Sequence, residues 1–234
     1  MAIHSAEDYF DWEGHPCPGI FEAGEEVWAA IPRIRLWIEA ALAASDRPTC
    51  GGADRSRIFV GESVWIGKGT VIMPGACLQG PAWIGEGCRI GPGCWIRENV
   101  VIGNGAIVGN SCELKNCVVG ESSEIPHWNY VGDSLLGRRV HLGAGVILSN
   151  WRHDHGEIPV VDERYSGGRL ASGLPKFGAI MGDCSDAGAH AVLNPGSLIG
   201  RRSVLYPGTV WRGVLPADRL VKLRQEQVIV TRMA

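Results

Sequence analysis

The chain has 234 residues, room for one domain and an appendage, with a formal net charge of −3 and 33 glycines. That charge leaves no basic footprint for nucleic acid. No apolar run reaches membrane-spanning length, and the first residues lack a basic region followed by an apolar core, so a cytoplasmic protein with no membrane partner is expected.

Residues 1–57 carry no repeat. Trp28, Ile31, Ile34, Trp37, Ile38 and Leu42 recur at helical spacing, and Pro32 opens a second helix or kinks a longer one. A stripe of this kind is ordinarily core. The segment is expected to be a helical cap, laid over the apolar bottom of the repeat that follows.

From 58 to 214 one short phrase repeats. Val60, Ile66, Ile72, Leu78, Ile84, Ile90, Ile96, Ile102, Val108 and Leu114 fall six apart. After five-residue steps the series runs through Val119, Ile125, Val131, Leu136, Leu142 and Leu148. It then crosses an insertion to Met181, Ala187, Leu193, Ile199, Leu205 and Trp211. A period of six fits neither a helix nor an amphipathic strand. It fits a solenoid in which each phrase is a short strand plus a corner, three phrases make a triangular coil, and the aliphatic residue stacks inward on the coil above. The fold class is therefore an all-β solenoid, a left-handed parallel β-helix of hexapeptide repeats, with about seven coils rising about 4.8 Å each. Cys88, Cys94 and Cys112 fall on the small inward corner position, and no C-x-x-C pair offers zinc spacing, so the cysteines read as structural thiols.

Residues 150–178 break the register with a polar, glycine-rich insertion, the kind of loop that carries function on a rigid scaffold. Within it, 157–161 and 169–171 are expected to pair as a hairpin. Coils resume at Ile180 and end near Val214. Residues 215–234 form a C-terminal tail in which Pro216 and Asp218 start a short helix ahead of the apolar run Val228 to Val230.

The densest polar cluster is PHWNYVGD at 126–133, followed by HLGAGV at 141–146. His127 falls two residues after the inward Ile125 and so faces outward. Arg97, Lys115 and Tyr130 lie on nearby coils and project towards the same groove. A solvated surface histidine and a general base beside an anion-binding set are the two readings of this pattern.

The phrases HWNYVGDSLLG, HLGAGVILSN and KFGAIMGD resemble the acetyltransferase half of the bifunctional glucosamine-1-phosphate acetyltransferase and N-acetylglucosamine-1-phosphate uridyltransferase. The resemblance covers residues 97–151 and 176–212. The insertion and the run AVLNPGSLIGRRSVLYPGTVWRGV are closer to sugar-nucleotide pyrophosphorylase relatives. The resemblance implies acetyl-CoA as co-substrate, a sugar phosphate as acceptor, no metal, and a homotrimer with the groove between subunits. It puts the catalytic base at His127 and the oxyanion-holding amide at Ala144. Arg97 and Lys115 fall on the sugar-phosphate contacts, Tyr130, His141 and Asn150 on the sugar site, and Lys176 on a lysine of the following loop. The CoA contacts fall on Ala189 and Pro207, with Arg202, Arg212 and Arg224 available to its phosphates.

Several positions depart from that pattern. His141 replaces an asparagine, Trp151 a tyrosine and Ala189 a serine, and Pro207 has no N–H to donate. Residues 1–57 are too short for a nucleotidyltransferase domain, so that activity is not expected of this chain.

Two other classes share the scaffold. A γ-class carbonic anhydrase needs three histidines around zinc, two of them five apart, and the seven histidines here include no such pair. A non-catalytic scaffold or sugar-phosphate-binding module is the alternative that the departures at 189 and 207 favour.

Overall fold

The structure is a computed structural model and describes residues 2–11, 15–45 and 57–232. The repeat winds into a three-faced parallel β-solenoid. In chain order the first face opens with Phe59–Val60, the second with Val64–Ile66 and the third with Val71–Ile72. Each face stacks eight strands, ending at Val210–Trp211, Val214–Leu215 and Leu220–Val221 respectively. Residues 220–221 pair with Val204–Leu205 as a further strand, so the expected C-terminal helix is absent and the solenoid runs one strand beyond Val214.

The inward residues of the repeat form one core from Val64 to Leu215, with Val60, Ile72 and Trp211 packed at its ends. Each buried aliphatic side chain contributes roughly 1.5–3 kcal/mol, and only through the coils above and below it. Cys88, Cys94 and Cys112 are buried in this column as free thiols. Burial raises the Cys94 thiol to about 11, which leaves it inert at neutral pH.

The five-residue steps both fall at the corner between the first and second faces. There the strands Glu113–Val119 and Tyr130–Leu136 run straight through the corner and join two faces into one sheet. Asn116 and Asp133 make the shortened turn in the left-handed region, each at φ 46°. Asn and Asp tolerate that conformation better than other side chains. The insertion leaves the solenoid at this same corner one coil later, and its Val160–Val161 and Arg169–Leu170 pair antiparallel as expected.

The N-terminal segment lies elsewhere than expected. A 3-10 turn, Val27–Arg33, leads into the helix Ile34–Ala43, and the buried Trp28, Ile31, Ile34 and Ile38 pack on the flank of the prism instead of its end. The reason is the second face, which is apolar on its outside as well. Trp83, Val101, Val118, Leu135, Ile180, Leu198 and Val214 stand in register one above another and form a second core with the N-terminal segment and the insertion. The two covering segments are tied together in the interior. His4 Nε2 lies 3.0 Å from Asp162 Oδ2, Tyr9 Oη lies 2.9 Å from His4 Nδ1, and Arg164 holds the Asp162 carboxyl down to about 2. Among the described residues no helix is long and apolar enough to cross a membrane.

Candidate active site

Two corners of the first face carry the residues picked out in the sequence. His127 ends the third-face strand Glu124–His127 and is exposed at the corner where the chain turns onto the first face. The register there fixes what lies above it. Gly145 N–H donates to the His127 carbonyl at 2.9 Å, His190 N–H to Ala144 at 2.8 Å, and Gly208 N–H to Ala189 at 2.8 Å. His127, Ala144, Ala189 and Pro207 therefore stand on successive coils in one column. Asn129 pins its base, accepting the His127 N–H at 3.0 Å and donating Nδ2 to the Gly143 carbonyl at 2.7 Å. The Ala144 N–H has no acceptor among the described residues. An open amide thus sits one coil above an exposed imidazole.

The corner between the first and second faces gathers the polar set. Arg97, Lys115, Tyr130, Asn150, Trp151 and Lys176 line a cavity of about 230 Å³. The cations do not flank an imidazole, as the sequence suggested; they sit among carboxylates. Arg97 Nη1 bonds Glu113 Oε1 at 2.8 Å and its guanidinium lies 4.8 Å over the Trp95 ring. Lys115 Nζ lies 3.7 Å from Asp133 Oδ2 and 3.9 Å from Glu98 Oε1. The buried Asp133 accepts from Asn116 Nδ2 at 2.8 Å and from Asn150 Nδ2, so it orients one wall of the cavity. Desolvation, with Asp133 nearby, raises the Tyr130 phenol above its ordinary value and keeps it a neutral donor. Gly132 leaves the space, since a Cβ there would lie 2.5 Å from Tyr130 Oη and 2.6 Å from Asn150 Nδ2.

Within one chain the width of the first face separates the two corners, because the chain turns between His127 and Tyr130. His141 faces outward on the third face, 3.2 Å from Asp186, and so stands outside the cavity. Arg202 sits at the remaining corner, held by Asp218 at 2.6 and 2.7 Å. Arg224 lies exposed in the C-terminal tail. Asp133, Asn116, Glu98 and Glu113 were not picked out from the sequence, although the two five-residue steps mark their corner. His190 was also missed. Its ring covers Gly145 closely enough that a Cβ there would meet Nδ1 at 2.8 Å, which places a second imidazole beside the column. Among the described residues no group of three or more His, Cys, Asp or Glu is placed to hold a metal ion.

Residues 78–163 match the family model of the GMPPB C-terminal domain. The uncharacterized acetyltransferase YaiX of Escherichia coli O6:K15:H31 is 35% identical over 175 residues, 74% of this chain and 74% of that protein. A bifunctional sugar-1-phosphate nucleotidylyltransferase/acetyltransferase of Sulfurisphaera tokodaii is 39% identical over 97 residues, 42% of this chain. The chain spans 23% of the length of that bifunctional relative. Among solved structures, an N-acyltransferase, AntD, from Bacillus cereus in complex with dTDP and coenzyme A overlaps 68% of this chain and 83% of its own, at 16% identity and a TM-score of 0.41. The chain belongs to the hexapeptide-repeat acyltransferase family, in the group that includes YaiX.

Proposed function

We propose that the protein transfers an acetyl group from acetyl-CoA to the amine of a phosphorylated amino sugar. The observation that carries the reading is the column of His127 and the open Ala144 amide on adjacent coils. The neutral His127 imidazole takes a proton as the amine attacks the thioester carbonyl, and the Ala144 N–H stabilises the oxyanion that forms. The attack makes the C–N bond; collapse of the tetrahedral intermediate restores the carbonyl and breaks the C–S bond, and the proton held by His127 passes to the departing CoA sulfur. No covalent enzyme intermediate is required. Ala189 and Pro207, further along the column, take the CoA chain. Arg97, Lys115, Tyr130, Asn150 and Lys176 hold the acceptor through its phosphate and hydroxyls. The bifunctional relative of Sulfurisphaera tokodaii, whose name joins sugar-1-phosphate chemistry to acetyl transfer, supports that acceptor class.

Because one face separates base from acceptor site in a single chain, the reaction is assigned to the seam of a homotrimer, where one copy's imidazole corner meets the next copy's polar corner. Thiol release from acetyl-CoA, measured across amino-sugar phosphates, tests the reading. Release with at least one acceptor supports it. Acceptor binding without release from any of them supports a non-catalytic sugar-phosphate module instead.

A further inference from the structure

A second and larger cavity, of about 420 Å³, opens between the insertion and the upper coils of the corner that holds the acceptor residues. Trp151 lines both cavities, so they lie side by side. The smaller falls below the roughly 300–1,000 Å³ of ordinary small-molecule sites, and the larger falls within it, so an extended ligand would occupy both. The chemistry of the larger wall is distinctive. The Trp151 ring is 42% exposed and is braced edge-on by His155 at 4.8 Å between centroids. Ile158 and Pro195 form an apolar floor beside it. Arg169 and Arg212 reach the cavity from the hairpin and from the end of the first face, and neither has an anionic partner among the described residues. Arg152, by contrast, is already engaged by Asp154 and the Glu157 carbonyl.

An open aromatic face stacks a base, and two unpartnered guanidiniums match two adjacent phosphates. We propose that this cavity holds a nucleoside diphosphate, so that the acceptor is a sugar carried on a nucleotide, with its sugar in the smaller cavity among Tyr130 and Asn150. This rests on the acyl-transfer reading for its meaning but not for its test, because binding is read without turnover.

Calorimetric titration of the full chain with UDP, GDP, dTDP and ADP, and separately with glucose 1-phosphate, tests the site. At least one nucleoside diphosphate binds the wild type, and an Arg169→Ala/Arg212→Ala double variant binds it at least about tenfold more weakly. Trp151→Ala also weakens it, while glucose 1-phosphate binding changes little in the Arg169→Ala/Arg212→Ala variant, whose two side chains lie outside the smaller cavity. All three side chains are exposed, and an unchanged thermal midpoint confirms that the variants fold. The proposal is overturned if none of the nucleotides binds, if the variants bind as the wild type does, or if CoA displaces the nucleotide competitively, since CoA would then be the occupant. Nucleotide binding with no thiol release sinks the acyl-transfer reading and leaves the site standing; thiol release with no nucleotide binding does the reverse.

Discussion

The two corners of the first face are built on opposite plans. At the imidazole corner the repeat never slips, the side chains of Ala144 and Ala189 are small, and what the corner offers is backbone: carbonyls and amides stacked one coil apart. At the polar corner the repeat loses a residue twice and then admits the insertion, and what it offers is side chains, with Asp133 wiring Asn116, Asn150 and Lys115 together. Regular coils place amides on a fixed rise, which suits a reaction that needs one aligned donor. Irregular coils open room for a cavity. A rigid solenoid can therefore hold acyl chemistry and acceptor recognition apart, each with its own means.

That division is open to attack at each corner. His127→Ala should reduce kcat for thiol release by roughly 10²- to 10⁴-fold while leaving the thermal midpoint in place, because the ring is exposed and braces nothing in the core. A loss of only a few fold would move the base elsewhere, with the neighbouring His190 the next residue to test. Lys115→Met should raise the acceptor KM by about tenfold and leave the acetyl-CoA KM unchanged. If both constants move together, the corners are not separate sites. The smallest effect is expected at Pro207→Ala, which restores an N–H to the column and should lower the acetyl-CoA KM by about two- to tenfold. An unchanged value would remove Pro207 from the CoA path.

The sequence carried the solenoid almost whole, because a stack of identical coils repeats its packing demand every six residues. Each inward residue from Leu78 to Leu205 in that series is buried in one core. The placement of the N-terminal segment was legible too, but on a longer period. Trp65, Trp83, Val101, Val118, Leu135, Ile180, Leu198 and Val214 put an apolar residue outward on every third phrase, which marks a face that must be covered. Reading the phrases one by one hides that signal and sends the helix to the end of the prism. In the site, the column of His127, Ala144, Ala189 and Pro207 follows from coil arithmetic alone. The carboxylates around Arg97 and Lys115 do not, because their directions depend on left-handed turns at Asn116 and Asp133 that shift the register locally. Arg202 looked available in sequence, and only the next coil's Asp218 shows it engaged.

In the proposed reaction CoA runs along the imidazole corner and delivers its thioester between His127 and the Ala144 amide. A structure determined with bound CoA tests this most directly. The CoA sulfur is expected beside His127, with the chain passing Ala189 and Pro207. CoA seated instead against Trp151 and Arg212, with the column bare, would contradict it.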